Sequence, residues 1–126
     1  MTDKFIDIYN EHITRPGADK LLSYIQTTDF FTAPASTRFH LSRPGGLVEH
    51  SIHVFERLRA LCDLESSGNP NFQEPTLETI AIIGLLHDLC KANFYAVEMR
   101  NRKNEQGQWE KVPLLCGGRS ASIRPR

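Results

Sequence analysis

A chain of 126 residues, 40% hydrophobic and 24% charged, is long enough for one domain built around one modest core. Its 15 basic and 15 acidic residues cancel, so no global field gathers nucleic acid or an anionic membrane surface. The longest apolar run, Ile80 to Leu86, is far too short to span a bilayer, and the opening MTDKFIDIYNEH does not read as a signal peptide. Three cysteines, Cys62, Cys90 and Cys116, without CxxC spacing argue against a disulfide framework or a zinc knuckle, and a reducing cytoplasm is expected.

In chain order, residues 3–14 carry Phe5, Ile6, Ile8, Tyr9 and Ile13 near helical spacing, and Pro16-Gly17 ends that helix. The pattern predicts a second helix over 18–31, with Leu21, Leu22, Ile25, Phe30 and Phe31 as its apolar set. Residues 32–46, TAPASTRFHLSRPGG, read as a loop, and a long ordered loop is often a functional one. The clearest amphipathic helix covers 47–62. There Leu47, Ser51, Val54, Leu58 and Leu61 recur at spacings of four and three, and Val48, Ile52 and Phe55 broaden the face. Residues 63–75 read as loop. Thr76 is a good N-cap, and the helix it starts runs to about Lys91, apolar nearly all round and so expected at the centre of the fold. Residues 94–100 and 108–115 alternate in polarity about Asn104-Glu105-Gln106-Gly107, which predicts a β-hairpin. Residues 114–126, with Gly117-Gly118 and three arginines, read as a loosely ordered tail behind a single domain at 1–113.

Five histidines are present: His12, His40, His50, His53 and His87. His50 falls in the first turn of the amphipathic helix, and His87-Asp88 in the last turn of the apolar one. Imidazole nitrogen with carboxylate oxygen suits a divalent first-row metal. Neighbours on one helix point about 100° apart, yet a long His arm and a short Asp arm can meet one ion. A second helix must then bring another ligand, and His50 is the natural candidate. Plainer readings stand beside this one. His87-Asp88 could be a wet helix end, and Lys91 a cation set favourably against the helix dipole. Gly45-Gly46 gives backbone freedom where the helix starts. Arg100, Arg102 and Lys103 with Trp109 read as a solvated hairpin face, Cys90 as a small buried residue, and His12 as a surface residue.

GGLVEHS at 45–51, followed by LLHDLCK at 85–91, resembles the HD-domain superfamily of metal-dependent phosphohydrolases. PASTRFHLSRPGGLVEHS at 34–51 and NFYAVEMRNRKNEQGQWEKVP at 93–113 further resemble a group of small bacterial and phage HD hydrolases. The resemblance covers roughly residues 30–113 and implies a mainly α, HD-like helical bundle with a small hairpin near the C-terminus. It implies metal ligation by His50, His87 and Asp88, with Asp88 also orienting a water and Lys91 holding an anionic substrate. His40 would line the site; His53 reads as a neighbour of His50. The ion would be Mn, Fe, Co, Ni, Zn or Mg, and the substrate a phosphorylated small molecule or nucleotide. In that family a further aspartate on a later helix closes the site, and the small group carries a Gly-His-Gly-Glu-Lys-Ser stretch after the hairpin. Here Val112-Pro113 is followed by LLCGGRSASIRPR, with no Asp, Glu or His beyond Glu110. A truncated or frame-shifted C-terminus is therefore expected. An incomplete bundle would leave apolar surface on the central helix and favour a homodimer. Two functions follow from the resemblance: a phosphohydrolase, or a degenerate HD fold acting as a binding or interaction module. A nuclease accessory role is less favoured, because the net charge is zero.

Overall fold

The computed structural model describes residues 1–37 and 41–116, and of residues 97–100 and 112–116 the backbone alone. Four α-helices lead the chain: α1 (Thr2–His12), α2 (Ala18–Thr27), α3 (Gly46–Gly68) and α4 (Leu77–Leu86). A 3-10 turn at Leu89–Lys91 follows, then the antiparallel pair β1 (Ala96–Lys103) and β2 (Trp109–Cys116). The protein is thus mainly helical, with a small sheet near the C-terminus. None of the described helices is long and apolar enough to cross a membrane.

Phe5 and Tyr9, one turn apart on α1, put two rings into the core, and Phe30 meets Phe5 at 5.1 Å between centroids. Around them Ile25, Leu47, Ile52 and Leu85 have no exposed surface. Each such side chain contributes about 1.5–3 kcal/mol by leaving water. The Tyr9 hydroxyl donates to the Ala18 carbonyl at 2.7 Å and so bridges the Pro16-Gly17 turn. Burial, with a smaller contribution from Asp19, pushes the Tyr9 phenol above its ordinary pKa. Gly17 takes a φ of 91° at the start of α2, a left-handed conformation that glycine adopts without steric cost.

Three helix ends differ from the sequence expectation. α2 stops at Thr27 rather than 31, because Thr27 and Thr28 turn their hydroxyls back onto the carbonyls of Tyr24 and Ile25, at 2.6 and 2.7 Å. Phe30 therefore enters the core from the turn after α2. α3 runs on to Gly68, past the expected end at 62. Ser67, read as loop, bonds the Asp63 carbonyl one turn back at 3.0 Å and stays helical. α4 begins as expected, with the Thr76 side chain accepting from the Thr79 N–H, but it ends at Leu86 and not at Lys91. Its burial is one-sided: Ile80, Ala81, Gly84 and Leu85 are buried, whereas Ile83 is 53% exposed.

α4 lies against α3 at a glycine. A Cβ on Gly84 would stand 2.5 Å from the Phe55 Cα, so the two backbones approach as closely as two helices can. The start of α4 is tied to the chain after α1, where Glu78 accepts from the Thr14 N–H at 2.8 Å and the Arg15 N–H at 3.1 Å. In the hairpin Asn104 Oδ1 accepts from the N–H groups of Gln106 and Gln108, and Gly107 takes a φ of 80°. The register pairs Ala96 with Cys116 and Lys103 with Trp109. Leu114 and Leu115, read both as the end of the hairpin and as the start of the tail, belong to β2, which runs one residue further to Cys116; the remainder of the expected tail, 117–126, lies outside the described residues. Arg102, Lys103 and Trp109 are exposed, as expected for a solvated face, and the Lys103 ammonium sits 5.4 Å over the Trp109 ring. Two smaller expectations are overturned. Cys90 is exposed, because α4 has already ended and the 3-10 turn carries its side chain outward. His12 is largely covered, with its ring 5.8 Å from that of Phe55.

Candidate metal centre

The loop between α2 and α3 aims the first turn of α3. Within it Ala33, Pro34 and Ala35 are buried. The loop folds back on them, with Gly45 N–H donating to Thr32 at 3.0 Å, Leu47 N–H to Ala33 at 2.9 Å, and Ala35 N–H to Leu41 at 3.0 Å. Two glycines permit this. Gly45 takes a φ of 79°, and a Cβ on Gly46 would collide with the Leu41 carbonyl. Arg43 then clamps Glu49 at 2.7 and 2.9 Å, and His50 follows in the next position.

The other half comes from the end of α4. Because the helix ends at Leu86, the Gly84 carbonyl is open to a side chain, and His87 Nδ1 lies 2.9 Å from it. A carbonyl only accepts, so Nδ1 carries the proton and Nε2 is the ring nitrogen left to face α3. His87 Nε2 is 3.1 Å from His50 Nε2, and Asp88 Oδ2 is 3.3 Å from His87 Nε2 and 3.4 Å from His50 Nε2.

These three atoms form a nearly equilateral triangle. A triangle of that size has a circumscribed radius of about 1.9 Å, and metal–ligand distances to His nitrogen and carboxylate oxygen are about 2.0–2.2 Å. The three donors are therefore spaced as shared ligation of one ion would require, with His50 and His87 offering nitrogen and Asp88 oxygen. The group His50, His87 and Asp88 could hold a metal ion. Its side chains are 27%, 29% and 20% exposed, so the donors are held by the fold and still reachable from solvent. The His87–Gly84 bond is the kind of outer contact that fixes the tautomer of a ligating histidine.

Lys91 stands beside this triangle. Its ammonium lies 3.3 Å from Asp88 Oδ2 and donates to the Ala35 carbonyl at 2.8 Å, and the Tyr95 hydroxyl donates to the same carbonyl at 3.1 Å. The strand-ward chain is held again where Asp29 and Asn93 exchange two bonds between side chain and backbone. Sequence reasoning passed over Gly84, Ala35, Tyr95 and Asn93. The one available signal was a glycine inside an otherwise large-residue apolar helix, a common mark of close helix approach.

The remaining expected residues divide as follows. His53 is exposed one turn along α3 and lies outside the donor group. It lines an open groove of about 670 Å³ that begins at His50 and continues past Val54, Arg57, Leu58 and Leu61. His40 lies outside the described residues. Asp63, a conceivable substitute carboxylate, is thirteen residues along α3 from His50, about 20 Å at helical rise, and takes no part. Glu98 is described by its backbone alone. Among the described residues the group has three protein donors. No protein-family model matches this chain, and no curated protein or solved structure matches it either.

Proposed function

We propose that this chain is a divalent-metal-dependent phosphohydrolase of the HD type, cleaving a phosphomonoester, a phosphodiester or a nucleotide. One observation carries the reading: His50 from α3 and His87-Asp88 from the end of α4 converge within 3.4 Å, as the resemblance of GGLVEHS and LLHDLCK to that family implies. A bound divalent ion would polarise a phosphoryl oxygen and lower the pKa of a bound water. The protein's own groups do the rest. His50 and His87 would supply the nitrogen donors, with the His87 ring oriented by its bond to the Gly84 carbonyl. Asp88 supplies the negative donor and accepts a hydrogen bond from a water on its free lone pairs. Lys91, already held by the Ala35 carbonyl, offers an ammonium to phosphoryl oxygens at the rim. Mn, Fe, Co, Ni and Zn all suit nitrogen with carboxylate, and Mg is the hard-ion alternative.

A second reading rests on the donor count. With three protein donors among the described residues, the chain would be a degenerate HD fold that binds partners without catalysis. Elemental mass spectrometry of the purified protein and of Asp88→Ala separates the two. One or two equivalents of a first-row metal in the wild type, lost in the variant, together with release of phosphate or alcohol from phosphoester probes, supports the hydrolase. Absence of metal in both after reloading removes that reading.

A further inference from the structure

The described residues that line the groove beginning at His50 all belong to α3. The exposed stripe continues past the groove. Half-buried Val54 and exposed Arg57, Leu61 and Leu64 recur at spacings of three, four and three, the alternation of a two-helix seam, and Leu58, half-buried against the core, flanks it. Leu61 is 54% exposed and Leu64 69%, whereas Cys62 and Phe55 on the opposite side of α3 are buried in the core.

We infer that this stripe is the contact surface for a second copy of the same chain, with α3 packed antiparallel on α3 about a two-fold axis at Leu61. The charge pattern singles out this partner. An antiparallel pairing centred on Leu61 sets Leu58 level with Leu64 of the other copy, and Arg57 level with Glu65 of the other copy, each twice. Neither Arg57 nor Glu65 has an ion-pair partner among the described residues. Opposed helix dipoles favour the same direction, and a net charge of zero puts no long-range repulsion between copies. His50 lies eleven residues from the axis, about 16 Å at helical rise, so the metal centre stays open in the pair. The surface does not depend on a metal or on hydrolysis.

Sedimentation equilibrium tests this directly. Wild-type protein is expected at twice the 14.3 kDa chain mass, and Leu61→Glu at the single mass with an unchanged far-ultraviolet circular dichroism spectrum. Arg57→Glu and Glu65→Arg alone should each weaken the dimer by about tenfold, and the double variant should restore it. With Cys90 and Cys116 replaced by Ser, Leu61→Cys should form an intermolecular disulfide under mild oxidation. Leu64→Cys should not, since its two copies stand about 9 Å apart along the helices. A monomeric wild type, a dimer that survives Leu61→Glu, or a charge-swapped double variant that stays dissociated would each overturn the proposal. A monomer would leave the stripe to a helix of some other protein.

Discussion

His87 divides its ring between two tasks. Nδ1 is spent on the Gly84 carbonyl, and Nε2 faces His50 and Asp88. His87→Ala removes a donor and leaves an open triangle, so bound metal is expected to be lost. Stoichiometric metal in that variant, by elemental analysis, would contradict the assignment. Ser51, next to His50, is fully buried, and its hydroxyl has no hydrogen-bond partner among the described residues. Ser51→Ala discards an unsatisfied group, so urea denaturation should find the variant as stable as wild type or more stable by up to about 1 kcal/mol. Glu78 is a case with a pH signature. The Thr14 backbone N–H, followed by Arg15, holds its carboxyl below the ordinary glutamate range. A depressed folded-state pKa means the contribution is present above the unfolded value and lost as pH falls through the folded one. The stability difference between wild type and Glu78→Gln should therefore be full at neutral pH and shrink below the ordinary glutamate range. A difference that held constant in acid would show that the carboxylate charge plays no part.

At the scale of elements, the close contact of α3 and α4 sets the candidate metal centre. Gly84 touches the Phe55 backbone three residues before His87 and five residues after His50. Gly84→Ala gains about 1 kcal/mol of helix propensity, yet forces apart two backbones that leave no room for a methyl group. A net loss of about 1–3 kcal/mol in denaturant unfolding is expected, along with weaker metal binding from a widened His50–His87 gap. Unchanged stability would mean that the helices separate without cost. The early end of α4 matters equally. Had the helix continued to Lys91, the Gly84 carbonyl would be taken by the backbone, and His87 would lose the bond that sets its tautomer.

For the molecule as a whole, the site joins the start of α3 to the end of α4, so an ion that binds there binds only the folded chain. Such linkage adds about 2.7 kcal/mol when free ligand stands at a hundred times its dissociation constant. Thermal melts of metal-loaded protein should thus shift upward by several degrees over chelator-treated protein, and the shift should vanish in Asp88→Ala. An equal shift in that variant would place the ion elsewhere.

The core and the metal-ligand candidates were legible in the residues themselves. Phe5, Tyr9, Leu47, Ile52 and Leu85 could be read off helical periodicity because burial follows one face of each helix. His50 and His87-Asp88 could be named because their residue types suit one ion, and the hairpin because Asn104 to Gly107 is turn chemistry. Three things waited on tertiary structure. Where helices stop was one, since Thr27, Thr28 and Ser67 can bond their own backbone in either sense and only the surrounding packing selects. The bracing of Lys91 and Tyr95 on the Ala35 carbonyl was another, because a backbone acceptor fifty-six or sixty residues away leaves no mark in local sequence. The last was which side of α3 remains open: its apolar residues cover more than one face, and only the positions of α1 and α4 decide which of them the core takes and which, Leu61 and Leu64, it leaves to water.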